Sequence, residues 1–147
     1  MNPAASHKAD LVVVNKCERV LLLLHRGNEI ARFRVSLGGQ PVGHKQQEGD
    51  RRTPEGRYLL DYKKSDSAYY KAIHISYPNA KDVADARRRG VDPGGLIMVH
   101  GQKNGTEPHA DGLPLTDWTA GCIAVSNAEM DRIWEAVDVG TPIQINP

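Results

Sequence analysis

Short runs of apolar residues alternate with polar turns along the chain, and this spacing predicts a mostly β domain with two short helices. Three N-terminal runs predict strands of an antiparallel meander, at residues 11–14, 20–24 and 30–37. Further strands are predicted downstream, at residues 57–61, 72–76, 96–100, 122–125 and 141–146. Helices are predicted at residues 82–89, capped by Asp82, and 126–137, opened by a capping box of Ser126 and Glu129.

Two segments lack such periodicity. Residues 38–56 are rich in glycine and proline, and residues 102–118 are polar. Compact domains rarely contain loops of this length without a function. The first segment is therefore expected to be a functional loop.

Composition limits the classes of protein to consider. The chain has 147 residues, of which 39% are hydrophobic and 25% charged. This length and composition predict one globular domain at residues 10–147, preceded by a disordered leader at residues 1–9. A net charge of +1 without a basic stripe argues against nucleic-acid binding. The first ten residues lack the apolar core of a signal peptide, which leaves a cytosolic protein or a signal or anchor outside the given sequence.

The strongest chemical signal is a histidine placed upstream of a cysteine. His100 ends an apolar strand, and Cys122 follows Gly121 at the head of another apolar run. A cysteine reacts as thiolate, and a nearby imidazole is the common way to generate one near neutral pH. The pair predicts covalent acyl-transfer chemistry, the alternatives being a buried core cysteine and a structural histidine.

The surroundings of this pair complete a candidate site. No Asp or Asn is an obvious partner for His100, so a backbone carbonyl, that of Gly101, is the candidate that orients the ring. The N–H groups of Gly121 and Cys122 are expected to be free to form an oxyanion hole. Trp118 is expected in the core or on the pocket wall. A disulfide between Cys17 and Cys122 stays an alternative, and the absence of any C-x-x-C pair argues against structural zinc.

Three motifs in order resemble the L,D-transpeptidase catalytic domain family, of YkuD type. They are His100-Gly101 with Thr119-x-Gly121-Cys122-Ile123, Gly49-Asp50-x-x-Thr53-Pro54-x-Gly56-x-Tyr58, and Gly140-Thr141-Pro142-Ile143. The order of histidine before cysteine argues against a papain-like enzyme. The resemblance implies a β-sandwich with short helices and a long active-site loop.

The resemblance also implies an activity and a place in the cell. Family members attack the L,D bond between residue 3 of a peptidoglycan stem and the terminal D-alanine, through a cysteine acyl-enzyme and without metal or organic cofactor. The acceptor is an amine from a second stem or a lipoprotein lysine. This implies a role in the cell wall and cell shape, in the periplasm or cell envelope, with the signal or anchor outside the given sequence.

Residue roles follow from the same resemblance. Cys122 is expected to be the nucleophile, His100 the general base and Gly101 the orienting carbonyl. The residues implied in substrate binding are Thr119, Gly121, Trp118 and Tyr77. Ala120 and Ala124 stand where many members have a histidine and a polar residue, often arginine, which bears on substrate and acceptor choice.

Two other functions remain open at this point. One is a hydrolase of the same family, either an L,D-carboxypeptidase or an amidase that releases lipoprotein from peptidoglycan. The segments at 76–79 and 117–119 are more similar to the subgroup that contains the lipoprotein-detaching enzyme. The other is a non-catalytic peptidoglycan-binding module, against which the intact pair of His100 and Cys122 argues.

Overall fold

The computed structural model describes residues 8–106 and 116–147. In these residues the strands are β1 (Leu11–Asn15), β2 (Val20–His25), β3 (Asn28–Arg34), β4 (Gly56–Ser67), β5 (Tyr70–Ile75), β6 (Met98–His100), β7 (Ile123–Ala124) and β8 (Thr141–Asn146). The helices are α1 (Ala80–Arg88) and α2 (Asn127–Ala136). The prediction of a mostly β domain with two short helices is confirmed.

All eight strands in the described part of the chain belong to one sheet, in the order β3-β2-β1-β8-β4-β5-β6-β7. The first three form the predicted antiparallel meander. The last strand, β8, lies parallel to β1 and antiparallel to β4, and so joins the meander to the second half of the sheet. The apolar residues of these strands fill one core, to which α2 adds Met130 and Ile133.

The two ends of the sheet are bridged to each other. β3 ends at Arg34 rather than at residue 37, and the chain then crosses to β7. There the N–H groups of Ser36 and Ala124 each donate to the other's carbonyl at 2.9 Å. Next to this bridge, the Gly39 N–H donates to the Thr119 carbonyl at 3.0 Å. The bridge brings the loop at residues 38–55 alongside the segment that precedes Cys122.

Three further elements have boundaries that differ from the predicted ones for identifiable reasons. The N-cap of α1 is Asn79, and Asp82 is the third helical residue of the same capping box. β4 continues to Ser67, because its polar outer half pairs with β5 in a long hairpin. β6 begins at Met98, since Leu96 has a left-handed backbone with φ +55° and cannot continue a strand.

Packing already begins at Ala9, whose side chain is 5% exposed and whose N–H donates to the Ala136 carbonyl at 2.8 Å. Residues 1–7 of the predicted leader and residues 107–115 of the predicted polar loop lie outside the described residues. In the described part of the chain, no helix has the length and apolar character needed to cross a membrane.

Candidate active site

Adjacent parallel strands place His100 and Cys122 on the same face of the sheet. Val99 pairs with Ile123 and His100 with Ala124, and both Val99 and Ile123 point into the core. Because side chains alternate along a strand, His100 and Cys122 both point to the opposite face. His100 pairs with Ala124, two residues after Cys122, so His100 and Cys122 are diagonal neighbours on that face.

The imidazole of His100 is oriented by the carbonyl named from the sequence. His100 Nδ1 lies 2.7 Å from the Gly101 carbonyl oxygen, and the side chain is buried. A carbonyl only accepts hydrogen bonds, so Nδ1 carries the proton and Nε2 of the neutral ring keeps its lone pair. Burial lowers the pKa of His100, although the hydrogen bond to Gly101 opposes this shift. The ring is therefore neutral at physiological pH, with Nε2 free to accept a proton.

Two aromatic side chains flank this imidazole. Tyr69 stacks on His100 with 4.5 Å between ring centroids and 26° between planes. Trp118 lies 5.9 Å from both rings, so it borders the imidazole, and its predicted place on the pocket wall stays a prediction. Tyr69 was missed by the sequence reasoning, because it lies in the tip of the β4–β5 hairpin, where only its aromatic character marks it.

The thiol of Cys122 contacts the segment that leads into β6. Its Sγ accepts a hydrogen bond from the Met98 N–H at 3.4 Å and donates to the Leu96 carbonyl at 3.5 Å. Burial raises the pKa of the thiol, whereas the Met98 N–H and the positive charge of Lys45 lower it. The resting pair is thus a neutral thiol and a neutral imidazole on the same face of the sheet. Cys17 and Cys122 are both free, so they form no disulfide.

The hydroxyl of Thr119 stabilises the turn that leads into Cys122. Thr119 Oγ1 donates to the Cys122 carbonyl at 2.7 Å and accepts from the Gly121 N–H at 3.0 Å. The prediction that the N–H groups of Gly121 and Cys122 are both free is therefore wrong for Gly121. Of the two, the Cys122 N–H remains as a candidate oxyanion donor.

The loop at residues 38–55 packs directly over Gly121. A Cβ on Gly121 would lie 2.8 Å from the Arg52 carbonyl oxygen, and the backbone there has φ +138°, so glycine is required on both counts. The Gly38 N–H donates to Thr53 Oγ1 at 3.1 Å, which ties the start of the loop to its end.

A buried lysine from the β1–β2 turn holds this loop in place. Lys16 Nζ donates to the carbonyls of Gly43 and Thr53 at 2.9 and 2.8 Å and lies 3.0 Å from Glu55 Oε2. Burial lowers the pKa of Lys16, and the contact with Glu55 opposes that shift. Lys16 lies in the β1–β2 turn, where its sequence context gave no sign of this role.

Tyr77 is buried under the same loop, where its hydroxyl also reaches the Lys45 carbonyl at 3.5 Å. Its side chain is 2% exposed, packs edge-on against His44 and Tyr58, and donates from its hydroxyl to the Pro93 carbonyl at 2.7 Å. This geometry gives Tyr77 a packing role, and its predicted contact with substrate stays a prediction. Among residues 8–106 and 116–147, no cluster of three or more His, Cys, Asp or Glu side chains could hold a metal ion.

Comparison with known proteins gives a family match over nearly the whole chain. Residues 9–145 match the model for the YkuD family, described as the L,D-transpeptidase catalytic domain. A curated relative, "Putative L,D-transpeptidase YafK" of Escherichia coli, is 37% identical over 98 residues, which cover 65% of this chain and 32% of that protein. The chain thus matches about a third of this relative's length.

Solved structures show the same fold. The helical cell shape determining protein Pgp2 of Campylobacter jejuni has a TM-score of 0.71 at 25% identity, covering 95% of this chain and 48% of that one. Bd1075 of Bdellovibrio bacteriovorus has a TM-score of 0.64 at 24% identity, covering 95% of this chain and 48% of that one, a likeness of fold alone.

Proposed function

The chain belongs to the L,D-transpeptidase catalytic domain family, and on that premise we propose that it is a cysteine-dependent L,D-transpeptidase acting on peptidoglycan stem peptides. The observation that carries the proposal is the pairing of β6 with β7. It sets Cys122 and His100 on one face, with the His100 tautomer held by Gly101. The envelope is the compartment in which such a substrate occurs.

In the first half-reaction, His100 Nε2 takes the thiol proton as Cys122 Sγ attacks the carbonyl of stem residue 3. The Cys122 N–H donates to the oxyanion that forms. Collapse breaks the L,D amide bond, and D-alanine leaves as an amine after receiving the proton from the imidazolium. A thioester with Cys122 remains.

In the second half-reaction, an amine from another stem or from a lipoprotein lysine attacks the thioester. His100 takes the proton of this amine and returns it to Sγ when the carbon–sulfur bond breaks. A new amide forms and the free thiol is restored. If water attacks instead, the same steps release a tripeptide, and the enzyme is a hydrolase.

The two cysteines provide a matched test of the nucleophile. Wild type, Cys122→Ala and Cys17→Ala are each incubated with a disaccharide tetrapeptide, and the products and intact protein are analysed by mass spectrometry. Cys17 is exposed in the β1–β2 turn and serves as the control for loss of a thiol. We expect D-alanine release, cross-linked dimers and a transient acyl adduct in wild type and Cys17→Ala, and none of these in Cys122→Ala.

Each alternative gives a different product. Turnover by Cys122→Ala would refute the nucleophile assignment. Tripeptide without cross-links, or lipoprotein released from a lipoprotein-linked tripeptide, would replace the transferase with a hydrolase. Binding of the substrate without any product from wild type would leave a binding module.

A further inference from the structure

A buried ion pair lies inside the loop at residues 38–55, outside the pair of Cys122 and His100. Lys45 is 3% exposed, and its Nζ lies 2.9 Å from Asp50 Oδ1 and donates to the Gln47 carbonyl at 3.2 Å. The Asp50 carboxylate also accepts from the backbone N–H groups of Gln46, Gln47 and Arg52. Burial acts to raise the pKa of Asp50, but these bonds and the Lys45 ammonium hold it below its usual range.

The aliphatic part of Lys45 packs on the segment that borders the thiol. A Cβ on Gly94 would lie 3.2 Å from Lys45 Cε, so the lysine passes close to the backbone of this residue. Two residues further on, the Leu96 carbonyl contacts Cys122 Sγ at 3.5 Å. The loop and this segment are also joined by a hydrogen bond of 2.8 Å from the Glu48 N–H to the Asp92 carbonyl.

The function proposed above for Cys122 is the basis of the next step. We propose that Lys45 is a positioning residue for the reaction, whose buried ammonium stabilises the negative charge of the Cys122 thiolate, and that Asp50 attenuates this effect. A charge held in a poorly solvated place acts over a longer range than one in water. This matters because a buried thiol has to lose its proton and become charged before it can react.

The neighbouring elements carry other titratable groups. They are Arg52, whose backbone carbonyl packs on Gly121, His100 of β6, whose ring is neutral, and Asp117, which is bound to Arg19 through two oxygens. Among the side-chain charges, that of Lys45 lowers the pKa of Cys122. Lys45 and Asp50 therefore form a pair whose members can be neutralised separately.

The two members of the pair predict shifts of opposite sign. Lys45→Met removes the cation and should make the thiolate harder to form. Asp50→Asn removes the anion while its side-chain oxygen still accepts hydrogen bonds, so Lys45 is left unneutralised and the thiolate should form more readily. A loop that merely lost its structure would change both variants in the same direction.

The assay is the rate of Cys122 alkylation by iodoacetamide as a function of pH, followed by intact mass in a Cys17→Ala background. Iodoacetamide is uncharged, and the rate follows the thiolate fraction. At pH 7 we expect Lys45→Met to react about three- to tenfold more slowly than the parent, Asp50→Asn to react faster, and Lys45→Arg to match the parent. The rate at high pH, where the thiolate is complete, should be common to all four proteins.

The opposite signs keep the proposal open to refutation even if Lys45→Met folds poorly. An unchanged rate in Lys45→Met, or a fall in Asp50→Asn, would overturn it. The readout needs only a thiol, not turnover. Activity retained by Cys122→Ala would refute the proposed function but would not affect the alkylation result. Alkylation rates that contradict the role of Lys45 would likewise leave the proposed function intact.

Discussion

Replacing Thr119 by valine should loosen the turn that holds Cys122. The hydroxyl makes two hydrogen bonds at a position that is 4% exposed, one with Gly121 and one with Cys122. Valine has nearly the same shape but leaves one buried N–H and one carbonyl without this partner. Each unsatisfied group costs about 1–3 kcal/mol, so the two together should lower the free energy of unfolding by about 2–6 kcal/mol.

Serine at the same position is the matched control. Thr119→Ser keeps both hydrogen bonds and loses one methyl group, which costs about 1 kcal/mol. Urea unfolding of the two variants and the parent gives the difference between them, and D-alanine release gives kcat/KM. We expect kcat/KM to fall at least about tenfold in valine, a loss of ~1.4 kcal/mol in transition-state stabilisation, and to change little in serine. Equal stabilities of the two variants would show that the hydroxyl does not brace this turn.

Three other perturbations test the remaining parts of the site. Burial lowers the pKa of His100, so the acid limb of the kcat/KM profile should lie below pH 6.5, and an acid limb above about pH 7 would contradict this. The free energy of unfolding should fall as the pH drops from about 6.5 toward that lower pKa, because the unfolded state binds more protons in this range. Lys16→Met should cost about 2–4 kcal/mol in urea unfolding, whereas Lys8→Met, at an exposed lysine, should cost little; similar losses would rule out the anchoring role of Lys16. Gly121→Ala should abolish D-alanine release and should lower the free energy of unfolding more than Gly140→Ala does. Gly140 also has a positive φ, but no atom lies within 4 Å of the added Cβ. An active Gly121→Ala would contradict the close contact with the loop.

The elements that sequence reasoning predicted well are those whose signals are local. The meander follows from apolar runs of strand length, and α2 begins at the predicted cap, where Ser126 and Glu129 bond to each other's backbone. The bond from His100 to the Gly101 carbonyl was also within reach, because the two residues are adjacent in sequence. None of these features needs knowledge of distant parts of the chain.

What could not be predicted depends on contacts between distant segments. The outer half of β4 is polar and acquires its strand conformation from pairing with β5. Tyr69 reaches His100 only through that hairpin. The Gly121 N–H appeared free in the sequence, since nothing in a Thr-x-Gly spacing shows that the hydroxyl turns back to accept from it. Long-range pairing therefore decides which groups remain available for substrate.

The long loop shows why its function could be suspected but not assigned to residues. Its glycines and prolines predicted a functional segment. The contacts that hold it involve two lysines: Lys16, which lies outside the loop and donates to its Gly43 and Thr53 carbonyls, and Lys45, which lies within it. Buried ion pairs are often no better for stability than apolar side chains of similar volume. Stability alone therefore does not account for two ammonium groups at this place. An apolar side chain could fill the same space, but it could neither hold the Gly43 and Thr53 carbonyls nor place a positive charge near Cys122. Lys16 therefore holds the backbone of the loop in place, and the charge of Lys45 fits the role proposed for it at Cys122.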